Sequence, residues 1–125
     1  DTFQLMFFKN QFTDAAFHLH QVSESCYKAI LLVFTNHTPR EHFLEILEKE
    51  AVKNCDELKN AFPKSTKEDE DRFKLLDYAY IGGRYDPGYR ISKEDLEILA
   101  KDVKKLLKLT EKICEEKIKS LSKEK

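Results

Sequence analysis

Apolar residues along the chain recur at helical rather than strand intervals. From Asp14 to Asn36, residues Ala15, Leu19, Val22, Cys26, Ala29 and Val33 follow at alternating steps of four and three, which puts them on one face of an α-helix. Thr13 or Asp14 is the expected N-cap of this helix, and Asn36 followed by Pro39 the expected stop. Before it, Phe3, Met6, Phe7 and Phe8 suggest the end of another helix packed antiparallel. A third helix is expected from His42 to Cys55 with Phe43, Leu47 and Ala51 inward, then a short helical turn reaching Phe62 before Pro63. Ser65-Thr66-Lys67-Glu68 reads as a capping box, in which the serine accepts from the amide three residues on and Glu68 reaches back. It opens a fourth helix with a broad face of Phe73, Leu75, Leu76, Ala79 and Tyr80, expected to end at Gly82-Gly83. Arg84–Arg90 is a turn-rich loop around Asp86-Pro87-Gly88. Ser92 caps a last helix whose stripe is Leu96, Leu99, Val103, Leu106, Thr110 and Ile113. Short connections between such helices predict an all-α, antiparallel up-and-down bundle.

Composition narrows this picture. The 125 residues suit one domain, and only 3 Gly and 3 Pro leave too few turn residues for a sandwich or barrel. No apolar run approaches the roughly 20 residues of a membrane span, and no export signal opens the chain. The odd set Cys26, Cys55 and Cys114, without C-x-x-C spacing, fits a reducing compartment. The expected location is cytoplasmic. Starting at Asp1 rather than methionine, the sequence reads as a processed protein or as one domain of a longer chain. The net charge of -1 gives no reason to expect general nucleic-acid affinity. Residues 41–71 nevertheless hold ten acids against five lysines, and residues 101–125 nine lysines against five acids; complementary solvated faces account for this more simply than a nucleic-acid tail.

Candidate chemistry is sparse. His18 and His20 are two apart and point to opposite sides of a helix, whereas a helical zinc pair needs a spacing of three or four. No metal or other cofactor is expected. There is no G-x-S-x-G, Walker loop or G-x-G-x-x-G, and Gly82-Gly83 reads as a helix C-cap or close-packing site. Two clusters remain. His20, Gln21, Glu24 and Lys28 form a polar strip in which Glu24 is four residues from both His20 and Lys28; it is either surface pairing or a polar groove or dimer seam. Arg84, Tyr85, Tyr89 and Arg90 supply guanidinium forks and aromatic faces suited to a nucleotide. The same residues equally suit a tyrosine plugging the bundle end and an arginine binding carbonyls at a helix C-terminus.

Taken in order, Ala16-Phe17-His18-Leu19-His20-Gln21-Val22-Ser23-Glu24, Tyr27-Lys28-Ala29, Thr38-Pro39-Arg40-Glu41-His42, Leu76-Asp77-Tyr78-Ala79-Tyr80, Arg84-Tyr85, Tyr89 and Ile91–Leu96 resemble the HEPN domain (higher eukaryotes and prokaryotes nucleotide-binding). The likeness covers about Asp14 to Leu109 and is greatest to HEPN domains that follow a minimal nucleotidyltransferase in one chain. It implies an antiparallel bundle of four to five helices, commonly dimeric, that binds nucleotides or assists a nucleotidyltransferase. Some family members are toxins that cut RNA with an arginine and a histidine in R-x4-6-H. Here Arg40 is followed at the relevant positions by Glu45, Ile46 and Leu47, Arg72 by Asp77, Tyr78 and Ala79, Arg84 by Tyr89, Arg90 and Ile91, and Arg90 by Asp95, Leu96 and Glu97. None gives histidine, and a phenol is a poor base at neutral pH. The resemblance therefore implies a noncatalytic module, with Arg84 and Arg90 on phosphate, Tyr85 and Tyr89 stacking or hydrogen-bonding, and His20, Glu24, Lys28 and His42 lining the same groove. Its expected partners are a nucleotide or RNA, a nucleotidyltransferase domain and a second copy of the chain, with no membrane. The alternatives are a toxin-type ribonuclease with a degenerate motif, and a structural dimerisation or antitoxin-docking module.

Overall fold

Four α-helices and one 3-10 turn account for most of residues 12–123, which the computed structural model describes. No strand occurs among these residues. The segment Phe3–Phe8, expected to close a preceding helix, lies outside them.

Helix α1 (Phe12–Thr35) is the hub, touching each of the other three α-helices. Its buried residues are Ala15, Ala16, Leu19, His20, Ser23, Cys26, Tyr27, Ile30 and Leu31. This face is turned from the expected stripe: Val22, Ala29 and Val33 are only half-buried, and the polar His20 and Ser23 go inside. A helix gripped on several sides buries more than one apolar stripe. Ser23 resolves its burial locally by donating from Oγ to the Leu19 carbonyl at 2.9 Å. Thr13 and Asp14 stand inside the helix and so do not cap it. The stop is as expected: Asn36 takes the left-handed conformation at φ 58° and its amide bonds the Leu32 carbonyl at 2.9 Å.

Helix α2 (Leu44–Asn54) starts two residues later than expected, because Phe43 is extended and serves as N-cap without a side-chain bond. Leu44, Leu47 and Ala51 face the core. After Cys55 the 3-10 turn Asp56–Asn60 brings Leu58, Ala61 and Phe62 inward, with the Phe62 ring 5.1 Å from Phe73. Helix α3 (Lys67–Tyr85) is capped by Thr66, whose Oγ1 accepts the Asp69 amide at 3.1 Å, rather than by the Ser65 and Glu68 box. It also runs through Gly82-Gly83 to Tyr85. Helix α4 (Lys93–Lys123) begins as expected, with the Asp95 amide donating to Ser92 Oγ at 3.1 Å. All six residues of its expected stripe are buried.

Helices α1 and α3 run antiparallel. The backbone at Gly83 lies against Thr13 and Phe17, whereas Asp77 lies against His20 farther along α1. The α1–α3 seam carries the candidate site, and Arg72 ties α3 to α4 by donating from Nε to Asp95 at 3.1 Å while Nη1 bonds Asp69 at 3.0 Å.

Candidate functional site

One end of the seam is built around Glu24. On α1 its neighbours one turn away are His20 and Lys28, and the chain entering α2 adds His42. Glu24 Oε2 accepts from Lys28 Nζ at 3.0 Å and lies 3.1 Å from His42 Nδ1. A carboxylate only accepts, so His42 Nδ1 is the donor in this contact. Glu24 Oε1 is 3.9 Å from His20 Nδ1, and His20 Nε2 is 3.6 Å from Asp77 Oδ1. His20, Glu24, Lys28 and His42 are thus brought together. The strip is not surface pairing alone, because His20 is fully buried and neither ring nitrogen has a hydrogen bond. That burial corrects the expectation that His20 lines a groove; it supports Glu24 and Asp77 from beneath. Gln21 is exposed and borders a separate cleft between α1 and α4 with His18.

Two members of the cluster are not apparent from residue spacing. Asp77, on the buried face of α3, accepts the Leu44 and Glu45 amides at 2.6 and 3.2 Å and so caps α2 from another helix. Tyr80 is the ring hub. It stacks on His42 at 4.5 Å and 11°, lies 5.5 Å from His20 and 6.3 Å from Phe17, and meets Phe43 edge-on at 6.3 Å. A carboxylate and a tyrosine at the positions of an inward-facing helix are the available signal, and only the tertiary approach of α2 explains them.

From Tyr80 the seam continues to the other end. Arg84 is one turn farther along α3, and its guanidinium lies 5.4 Å from the Phe17 ring and 5.3 Å from Tyr85, within cation–π range. It is exposed and has no carboxylate partner among the described residues. Tyr85 is 71% exposed. Arg84 and Tyr85, with Thr13, Gly82, Gly83, Asp86, Pro87, Tyr89 and Arg90, border a cleft of about 270 Å³.

Arg90 donates through Nη1 to the Pro87 and Tyr89 carbonyls, both at 2.8 Å. The remaining guanidinium N–H groups are not used in these bonds. Asp86 folds the loop: Oδ1 accepts the Gly88 amide and Oδ2 the Tyr78 hydroxyl, each at 2.9 Å. Tyr89 departs from its expected ligand role. It is buried, its hydroxyl donates to the Leu75 carbonyl at 2.7 Å, and burial pushes its phenol well above the ordinary range. The hydroxyl is committed to the fold, leaving Tyr85 as the ring free to stack. Arg84, Tyr85, Arg90 and the Glu24 cluster therefore share one seam, while Tyr89 closes the bundle end beneath it.

Among the described residues no group of three or more His, Cys, Asp or Glu is placed to hold a metal ion. No helix among them is long and apolar enough to cross a membrane. A search of curated proteins returned no match. The family model of the HEPN domain matches residues 1–114, nearly the whole of this helical chain, and the chain belongs to the HEPN domain family.

Proposed function

We propose that this HEPN chain is a noncatalytic, cytoplasmic nucleotide-binding module that works as a homodimer beside a nucleotidyltransferase, in the same chain or as a separate partner. The observation that carries the binding function is the Arg84 cleft. An arginine without a carboxylate partner among the described residues borders it beside an exposed tyrosine, and Arg90 borders the same cleft with donors to spare. Guanidinium forks match phosphate oxygens, and the exposed Tyr85 ring offers a face for a base. Lys28 and His42, held by Glu24, extend the polar seam past Tyr80. The noncatalytic reading draws support from Tyr89, which stands where R-x4-6-H would place its histidine, because its hydroxyl is already given to Leu75 and its proton is held more tightly than in a free phenol.

Calorimetry with ATP and GTP tests the reading. The protein is expected to bind one or both, and Arg84→Ala to weaken binding by about 1–3 kcal/mol, the range for losing a charge-assisted contact, with an unchanged thermal melt. No binding by the intact protein removes the ligand reading. Arg84-dependent cleavage of RNA would replace it with the ribonuclease. A monomer by light scattering at micromolar concentration would remove the dimer.

A further inference from the structure

Asp77 is a buried carboxylate, and no lysine or arginine among the described residues pairs with it. Lys64 and Tyr27 feel its charge from farther away. Its close counterpart is His20, whose Nε2 stands 3.6 Å from Asp77 Oδ1. On the opposite edge of the same ring, Nδ1 stands 3.9 Å from Glu24 Oε1. His20 is fully buried, and neither nitrogen has a hydrogen bond among the described residues. A neutral imidazole carries one N–H and one lone pair. Between two carboxylates it can donate to one and must turn its lone pair on the other, whereas the imidazolium donates to both. A buried carboxylate left without a paired cation is costly. The face of Tyr80, with its centroid 5.5 Å from that of His20 and the rings 28° apart, also favours a ring carrying positive charge.

We infer that His20 is a proton-operated clasp on the junction of α1, α2 and α3. Protonated, it donates from Nε2 to Asp77 and from Nδ1 to Glu24 and so fastens α3 to α1; deprotonated, it releases one of the two. The clasp reaches α2 through Asp77, whose Oδ1 also takes the Leu44 amide and whose Oδ2 takes the Glu45 amide. It reaches the chain entering α2 through Glu24, whose Oε2 holds Lys28 and His42. The titratable groups facing the ring are Glu24 on α1 with Lys28 behind it, Asp77 and Tyr80 on α3, and His42 before α2. Proton uptake adds a donor to Asp77 without displacing the α2 amides, since each carboxylate oxygen has two lone pairs. The first turn of α2 is therefore held more firmly on the acid side of the His20 titration than on the alkaline side. This coupling does not depend on what the Arg84 cleft binds.

The test is an NMR titration of the full chain between about pH 5 and 8, the range in which histidine changes charge. It follows the imidazole nitrogen shifts together with hydrogen exchange at Leu44 and Glu45, corrected for the intrinsic pH dependence of exchange. The His20 ring is expected to pass from two protonated nitrogens to one. Protection at Leu44 and Glu45 is expected to fall about tenfold through the same titration, the effect of losing one charge-assisted hydrogen bond. His18, which borders the separate cleft between α1 and α4, is the reference ring whose titration leaves those amides unmoved. In His20→Gln, which cannot take up a proton, the step at Leu44 and Glu45 is expected to vanish, and in His42→Gln to remain. A His20 ring that keeps one protonation state throughout, or amide protection that does not follow its titration, overturns the clasp. A step that survives in His20→Gln and vanishes in His42→Gln overturns it in favour of His42 as the sensor. If His20→Gln does not fold, the ring and amide titrations of the wild type decide the matter by themselves.

Discussion

Two adjacent glycines in one helix differ in what a side chain would meet. A Cβ on Gly82 would come within 2.6 Å of the Tyr89 ring and 2.8 Å of the Tyr78 ring, and Tyr89 cannot withdraw while its hydroxyl holds the Leu75 carbonyl. At Gly83 the nearest atoms would be 3.4 to 3.6 Å away, ordinary contacts with Phe17 and Thr13. Alanine gains about 1 kcal/mol over glycine inside a helix, whereas overpacking costs typically 1–3 kcal/mol. Gly83→Ala is therefore expected to raise stability by about 0.5–1 kcal/mol and Gly82→Ala to lower it by up to about 2 kcal/mol, measured by urea unfolding. Equal effects at the two positions would show that Tyr89 is not fixed as described. The sequence marks this pair as a close-packing site or helix end, but not which glycine is packed upon, because the Tyr89 ring returns to α3 only through the loop that follows. The same return decides the site: Arg84 and Tyr85 stay open, and Tyr89, five residues after Arg84, becomes part of the core.

At the level of elements, one carboxylate joins α1, α2 and α3 where they meet. Asp77 spans two helices, taking the first amides of α2 on both oxygens and facing buried His20. Phe43 gives α2 no side-chain cap of its own, so Asp77→Ala leaves those amides without this acceptor. The expected loss is about 1–2 kcal/mol, the scale for removing an N-cap, with Asp77→Asn intermediate since one oxygen remains. Hydrogen exchange at Leu44 and Glu45 is expected to speed up ahead of the rest of the molecule, and unchanged protection there would contradict the cap. Local signals do place most helices. The four-three stripe of α4 is buried as expected, because the residues it needs lie within one helix. Thr66 rather than Ser65 caps α3, a choice between adjacent hydroxyl residues that local spacing resolves only to within one position. The rotation of α1 was hidden for another reason. Its inner face is set by three neighbours, and His20 and Ser23 enter the core only because Glu24, Asp77 and the Leu19 carbonyl stand beside them.

Across the whole molecule, two tyrosines couple folding to proton uptake. Tyr27 is wholly buried in α1, with its hydroxyl donating at 3.2 Å to Glu48 of α2, and Glu48 in turn pairs with Lys64 beyond the 3-10 turn. Desolvation first, with Cys26 and Asp77 adding to it, raises the Tyr27 phenol far above its ordinary value; burial does the same to Tyr89. In the unfolded chain both ionise near about pH 10, while in the folded protein both remain protonated beyond that. The folded state then binds protons that the unfolded state has released, so the contribution of these two groups to stability is intact below pH 10 and falls as pH rises above it. Each group contributes a slope of about 1.4 kcal/mol per pH unit, until its own folded ionisation is reached. Denaturant unfolding between pH 8 and 11.5 is expected to steepen above pH 10, where the two phenols together add a loss of nearly 3 kcal/mol per unit to the earlier one from the Cys26 thiol, which burial also raises. Tyr27→Phe removes one titration along with one hydrogen bond. It is expected to be about 1 kcal/mol less stable at neutral pH, to lose stability above pH 10 at a slope smaller by about 1.4 kcal/mol per unit, and so to overtake the wild type within the next unit or two. Parallel curves for the two proteins would show that the Tyr27 hydroxyl is open to solvent in the folded state and that the contact joining α1 to α2 through Glu48 is not closed.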